Sequence, residues 1–273
     1  MDYYLKCDNQ KCGCKTKCFQ WCSDGAKVIY FESPKCCSTS IRIGLGIPPG
    51  TNSGGKYNFY NLRSSANIRD RRKGRGIGKL REGKRSHNWQ KFKNQEKFDE
   101  YFKFGFVRNP WDRAVSTWEM YAAETLQRSR HHRTKDIFVE YFKKPRWEVT
   151  FIEFIKHIHI YNNHHWEHQH KFIPDCIDFL GRFESFDKDM EYILDKTGIT
   201  TKIGKFNTST GRKHYTEYYN DETRGIVAEI YKKDIEYFRY EYGDYKPQKR
   251  VQKYQENYEL IFPNAFKPKW QEE

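Results

Sequence analysis

The stretch from residue 27 to residue 45 most constrains what this chain can fold into. Four apolar residues, Val28-Ile29-Tyr30-Phe31, lead into a turn of small, hydroxyl and cationic residues, Ser33-Pro34-Lys35-Cys36-Cys37-Ser38-Thr39-Ser40. The apolar run has the length of a buried strand, and Ile41, Ile43 and Leu45 after the turn read as a short helix. Pro48-Pro49-Gly50 ends that helix. A strand that passes through a tight turn into a helix presents backbone N–H groups and a helix N-terminus to an anion. With Lys35 and the three hydroxyls Ser38, Thr39 and Ser40 closing the turn, the expectation is a loop that holds a phosphate-like group.

A second segment has the same logic. Phe102-Lys-Phe-Gly-Phe-Val107 reads as another buried strand and runs directly into Arg108-Asn-Pro-Trp-Asp-Arg-Ala-Val-Ser116. Asn109 suits the helix N-cap, Pro110 the first helical position, and Asp112 the first turn, where the helix dipole favours a carboxylate. Trp111, Val115, Trp118 and Ala122 repeat at helical spacing and should face a core, with Arg113 and Ser116 on another face. Arg108 therefore stands at the carboxyl end of a strand, with Ser116 on the helix that follows.

Further elements follow in order. Phe151, Phe154, Ile155 and Ile158 mark an amphipathic helix, and Ile177 to Phe183 a third strand. Ser185 is an N-cap for a helix carrying Phe186, Met190, Ile193 and Leu194 that closes near Gly198. After a polar loop at 204–216, Asn220 or Asp221 starts a helix with Val227, Tyr231, Ile235 and Phe238 on one face.

Charge bears on what the loop serves. The 273 residues carry 50 Lys/Arg against 36 Asp/Glu, a formal net charge of +14, which favours anionic partners. Residues 63–85 hold ten Lys/Arg among four glycines; they read as a solvated loop, a basic wall gathering an anionic substrate, or a nucleic-acid arm. No stretch approaches a membrane span and the N-terminus has no signal-peptide core. A cytoplasmic protein is the expectation, with the eight cysteines mostly reduced or metal-bound. Five of them, Cys7, Cys12, Cys14, Cys18 and Cys22, lie in a leader spanning 1–26; their irregular spacing leaves a zinc site, free thiols and disulfides open. The main domain is placed at 27–245 and a tail at 246–273.

The histidines His157, His159, His164, His165, His168 and His170 form a cluster in the sequence. Without matching carboxylate or thiol spacing or an H-E-x-x-H motif, they are not read as a metal site.

The first loop lacks the G-x4-G-K-[ST] order of a Walker A loop and the G-x-G-x-x-G of a dinucleotide site, and the second strand ends in Arg where a magnesium-holding Asp would be wanted. Pro34 to Ile41 and Phe104 to Ser116 together resemble the two cofactor motifs of the carbohydrate sulfotransferase family. Phe179-Leu-Gly-Arg-Phe-Glu-Ser185 and the segment Tyr215 to Tyr242 resemble its later blocks, so the similarity covers about 27–245. The resemblance implies an α/β fold of the P-loop NTPase-like, three-layer kind, with a central parallel sheet flanked by helices. It implies 3′-phosphoadenosine 5′-phosphosulfate as the sulfonyl donor, no metal, and a glycan or other hydroxyl-bearing acceptor.

Carried onto this chain, Pro34, Lys35, Cys36, Cys37, Ser38, Thr39 and Ser40 would hold the 5′-phosphosulfate. Lys35 would neutralise the bridging oxygen as the donor bond breaks. Arg108 and Ser116 would hold the 3′-phosphate, and Arg212 and Lys213 would either close over the donor or be solvated. Cys37 stands where a small Ala or Gly is more usual and is small enough to be tolerated. The base is expected at His87, which lies in a basic context ahead of the second motif. His165 is the second choice, in His165-Trp-Glu-His168-Gln169, which is similar to the family's His-Trp-x-Pro-Gln segment with His168 in place of proline. Animal members of the family are usually Golgi proteins with one N-terminal span, so a bacterial- or virus-like soluble member is expected, or a Golgi enzyme if an anchor has been removed. The competing reading is a basic nucleic-acid-binding protein with a zinc leader. It accounts for the charge but not for both motifs.

Overall fold

The computed structural model describes residues 20–47, 53–54, 56–61, 99–122, 141–158, 165–173, 177–204 and 212–243. Two compact units are present: one takes Met1–Val107, Lys171–Thr208 and Lys246–Glu273, the other Arg108–His170 and Ser209–Tyr245.

The first unit is built on a six-stranded sheet. Its strands are β1 (Gln20–Ser23), β2 (Val28–Phe31), β3 (Ser53–Gly54), β4 (Phe59–Asn61), β5 (Phe102–Val107) and β6 (Phe179–Arg182), in the order β3-β4-β1-β2-β5-β6. The strand boundaries expected at 28–31 and 102–107 are those observed. β2, β5 and β6 are parallel neighbours, with Val28 opposite Phe102 and Phe104 opposite Phe179. β1, β3 and β4 are antiparallel additions. The sheet is thus mixed, and only half of it matches the parallel sheet expected. The departure begins in a tight hairpin: Gln20 pairs with Phe31 and Ser23 with Val28, and the Ser23 hydroxyl accepts the Ala26 N–H at 3.2 Å. A connection this short can only return antiparallel. The sheet also begins inside the segment read as a leader, and Cys22 is a fully buried strand residue whose thiol donates to Asp24 at 3.7 Å.

Alternation along the strands sorts the core. Val28 and Tyr30 of β2 and Phe104 and Phe106 of β5 share a buried cluster with Ile41 of α1 (Ser38–Gly44), with Leu45 just beyond it, and with Phe186, Met190 and Ile193 of a later helix, Phe186–Thr197. Tyr30 stacks on Phe104 with centroids 5.0 Å apart, and Phe106 meets Phe186 at 5.3 Å. The opposite face is covered too. A Cβ at Gly105 would lie 2.7 Å from Ile173 and 3.1 Å from the Phe31 carbonyl, so that position admits no side chain unless its neighbours shift. Burial on both faces explains why β2 reads as an unbroken apolar run; β5 differs by Lys103, which is buried and paired with Asp178 at 2.9 Å.

The Phe186–Thr197 helix ends at Gly198 (φ 65°), as expected. Ser185 does not cap it. Its hydroxyl bonds instead to Asp189 at 2.7 Å, and the same carboxylate oxygen accepts the Arg182 N–H at 2.7 Å. The carboxylate thereby ties the strand end to the helix.

The second unit is helical. It contains α2 (Pro110–Ala122) and α3 (Phe151–His157); the Phe186–Thr197 helix of the first unit is α4, followed here by α5 (Asp221–Ile230) and α6 (Lys232–Phe238). Asn109 caps α2, accepting the Trp111 N–H at 3.1 Å. Thr150 and Glu153 form a capping box on α3, and Asn220 and Thr223 one on α5. The single C-terminal helix expected is broken at Tyr231. Its buried stripe is Val227, Tyr231, Asp234 and Phe238, with Asp234 where Ile235 was expected. The reason is polar, as set out below. No helix among the described residues is long and apolar enough to cross a membrane.

Candidate active site

β2 delivers the first motif. Pro34 and Cys36 are buried, Lys35 is half-buried, Ser38 is half-buried, Thr39 is exposed and Ser40 is buried. Two non-glycine residues adopt the left-handed conformation here, Lys35 at φ 67° and Cys37 at φ 59°. Such a backbone costs roughly 1–2 kcal/mol for a residue with a Cβ, so the small residue expected at 37 is wanted for its backbone freedom as much as for its size. Cys37 precedes α1, and its carbonyl accepts the Ile41 N–H at 3.0 Å.

Beneath this turn lies a carboxylate that sequence reasoning missed. Glu32, the residue after β2, is only 8% exposed. It accepts the Trp21 indole N–H at 2.7 Å and a hydrogen bond from the Ser38 hydroxyl, and Arg42 Nη1 lies 3.9 Å away. Arg42 also covers the Trp21 ring, 4.9 Å from its centroid. Burial pushes the Glu32 carboxyl above its ordinary value despite these partners. The sequence signal was an acidic residue at the mouth of a loop expected to hold an anion, a charge of the wrong sign for that position.

β5 delivers the second motif, and Val107 runs on into Arg108. Arg108 is 4% exposed, and its Nε donates to Asp112 at 2.8 Å. The Gln169 amide holds its backbone from both sides, accepting the Arg108 N–H and donating to the Arg108 carbonyl, each at 2.8 Å. Asp112 also takes Arg212, whose Nη2 lies 2.6 Å from its Oδ1. Arg212 Nε lies 3.2 Å from Glu119. Burial raises the Asp112 carboxyl, but Arg108 and then Arg212 outweigh it and hold the group below its ordinary value. The Arg212/Lys213 pair is thus split: Arg212 is fastened to α2, while Lys213 is exposed. Ser116 is half-buried on α2.

The two histidines proposed as base have different fates. His87 lies outside the described residues. His165 is held by three residues of α2 one turn apart. Arg113, 1% exposed, donates to the His165 carbonyl at 3.2 Å, and the Thr117 hydroxyl does so at 3.3 Å. The Tyr121 hydroxyl meets His165 Nδ1 at 3.0 Å. Arg113 also reaches the Glu167 carbonyl at 2.5 Å. Spacings of four residues put all three groups on one helix face.

Among the described residues one set of potential metal ligands converges, His168, His170 and Asp234, within 4.8 Å. Asp234, 0% exposed, already accepts the Gln169 N–H at 2.6 Å, the His170 N–H at 3.0 Å and His170 Nδ1 at 2.5 Å. It serves as a staple for the segment that carries Gln169, which accounts for its buried place on α6. The basic segment at 63–85 and the cysteines Cys7 to Cys18 lie outside the described residues.

The sequence model of the Sulfotransferase family matches residues 21–241. The chain belongs to the sulfotransferase family. Its curated relatives include carbohydrate sulfotransferase 11 of Mus musculus, 25% identical over 53% of this chain and 48% of the relative. Carbohydrate sulfotransferase 14 of Danio rerio is 30% identical over 38% of this chain and 32% of its own length. Carbohydrate sulfotransferase 10 of Rattus norvegicus is 26% identical over 82% and 64%. The match therefore spans about half the length of the first of these relatives. No solved structure matches. This sulfotransferase-family chain thus carries both motifs behind the carboxyl ends of adjacent parallel strands, β2 and β5.

Proposed function

We propose that this chain transfers a sulfonyl group from 3′-phosphoadenosine 5′-phosphosulfate to a hydroxyl of a carbohydrate. The observation that carries the reading is the placement of the two motifs after neighbouring parallel strands, the usual position for ligand loops in α/β sheets. In this reading the turn Pro34 to Ser40 takes the 5′-phosphosulfate, and Arg108 with Ser116 takes the 3′-phosphate. The acceptor oxygen attacks sulfur in line, the S–O bond to the 5′-phosphate breaks, and the adenosine bisphosphate leaves with the electron pair. Lys35 offsets the charge that develops on the leaving phosphate.

The acceptor proton goes to a histidine, His87 or His165; His165 has its ring nitrogen Nδ1 held by the Tyr121 hydroxyl at 3.0 Å. The tautomer that donates Nδ1–H to the Tyr121 oxygen leaves Nε2 as the acceptor. Arg212, anchored by Asp112, lies beside Arg108 as a second cation for the 3′-phosphate. In a cell, a soluble cytoplasmic setting is the simplest home for this activity.

Calorimetry with 3′-phosphoadenosine 5′-phosphate tests the reading. Binding of one equivalent supports it; failure to bind alongside tight binding of single- or double-stranded DNA would transfer the chain to the nucleic-acid class. An acceptor screen with labelled donor then identifies the sugar. Loss of turnover in His165→Ala with turnover retained in His87→Ala assigns the base to His165, and the reverse pattern assigns it to His87.

A further inference from the structure

Glu32 poses a conflict that rests on the donor-binding reading of its loop. A hydroxyl has one proton to give. As long as Glu32 is ionised, the Ser38 proton is committed to it. The same hydroxyl is wanted as a donor to the phosphosulfate, which brings more negative charge close to a carboxylate that is already 8% exposed. A buried carboxylate faced with a second anion is relieved by taking a proton. A protonated Glu32 donates its O–H to the Ser38 oxygen, and the Ser38 proton is then released toward the donor.

The surroundings suit this exchange. Trp21 on β1 gives its N–H to one carboxylate oxygen, Oε2, at 2.7 Å. Arg42 on α1 faces the other, Oε1, at 3.9 Å, beyond hydrogen-bond reach, and is engaged by the Trp21 ring. The ionisable groups that act on or with Glu32 are Arg42 on α1 and Tyr30 on β2; the Cys36 and Cys37 thiols act on Tyr30. Burial holds the Tyr30 phenol well above its ordinary value, so it stays neutral. Arg42 is the one cation within 4 Å of Glu32 among the described residues, and its distance limits how strongly it resists protonation.

We propose that Glu32 is a positioning residue that couples donor binding to the uptake of one proton, handing the Ser38 hydroxyl from its own carboxylate to the bound anion.

The test is calorimetric titration of the whole chain with 3′-phosphoadenosine 5′-phosphate in two buffers of different ionisation enthalpy, neither a phosphate nor a sulfate. Between about pH 7.5 and about pH 8.5 the ligand's phosphates, whose second pKa is about 6, are close to fully ionised, so their own titration contributes little. The native chain is expected to take up close to one proton per ligand, and its Kd to rise with pH by up to about tenfold per unit. Glu32→Gln keeps the size of the side chain and an acceptor for Trp21. It mimics the protonated form, so it should bind without proton uptake and with a flat pH profile. Ser38→Ala removes the hydroxyl without touching β2, and should likewise flatten the profile while weakening binding.

Native binding with the same proton count in Glu32→Gln, or full uptake in Ser38→Ala, overturns the inference and leaves the donor site standing: Ser38 then turns away from an unchanged carboxylate. A native chain that does not bind the ligand at all overturns the donor site itself.

Discussion

The two segments proposed to hold the anionic ends of the donor are built in opposite ways. The turn after β2 has little charge of its own beyond Lys35; it sets its shape with two left-handed residues and rests on a buried carboxylate that burial makes hard to ionise. The start of α2 keeps an ordinary backbone and sets its shape with charge, since Asp112 binds Arg108 and Arg212 together and stays ionised easily. A phosphate arriving at Arg108 meets guanidinium groups whose positions are already fixed. An anion arriving at the turn must reorganise hydroxyls that are engaged elsewhere. Rigid charge suits a handle that is only gripped, whereas a turn with adjustable hydroxyls suits the end of the donor where charge moves during reaction.

The sharpest way to break this contrast is at Lys35. Lys35→Ala should lower kcat by about two to three orders of magnitude with an unchanged circular dichroism spectrum; near-normal turnover would make the turn a mere grip as well. Asp112→Asn attacks the other segment. It leaves the buried Arg108 guanidinium without its carboxylate and the half-buried Arg212 with Glu119 as its remaining carboxylate, and should cost about 3–5 kcal/mol in urea unfolding, far more than Lys35→Ala. The same stabilisation has a pH signature. Because the folded Asp112 carboxyl lies below its ordinary value of 3.8, the contribution is complete above that pH and is lost as pH falls through the depressed folded value. Native chain and Asp112→Asn should therefore converge in stability on acidification below about pH 4, which unfolding curves at several pH values would check.

Smaller effects sharpen the picture. Tyr121→Phe removes the hydroxyl from His165 Nδ1 and leaves Arg113 and Thr117 in place. A fall of about tenfold in kcat with a displaced pH–rate limb is expected if His165 is the base, and a change in stability alone would give Tyr121 a packing role. The smallest change is Cys37→Gly. It relieves a strained φ but loosens the unfolded chain, so a net gain of about 0.5 kcal/mol in denaturant unfolding is expected. A loss would mean that the Cys37 side chain contributes contacts that outweigh the strain.

Much of this was readable in the sequence because it depends on local signals. β2 announced itself as an apolar run, β5 as an apolar run broken by Lys103, Asn109 and Asn220 as caps, and Phe151, Phe154 and Ile158 as a helix face. The parts that were not legible depend on partners distant in the chain. β1 is a strand because residues 28–31 and 60–61 pair with it, not because Gln20-Trp-Cys-Ser has a strand-like pattern. Asp234 is buried because two backbone N–H groups 65 and 64 residues away need its oxygens, which no periodicity reveals. Glu32 has the look of an ordinary polar residue at a strand end; its importance comes from the Trp21 indole across the hairpin. Arg212 and Lys213 are adjacent and chemically alike, and only the place of Asp112 separates them.

The Gln169 amide bears on which residues position 169 can accept. Its oxygen and nitrogen address the N–H and C=O of one residue, Arg108, as a neighbouring strand would at that point. The substitution pattern at 169 should therefore be almost closed. Glutamate would set a carboxylate against a carbonyl, leucine would strand two buried polar groups, and asparagine has the right atoms on too short a stem. A library randomised at this single codon and sorted for folded protein would be expected to return little but glutamine. A glutamine at the equivalent place in another chain is thus a marker by which this sheet-end geometry can be recognised.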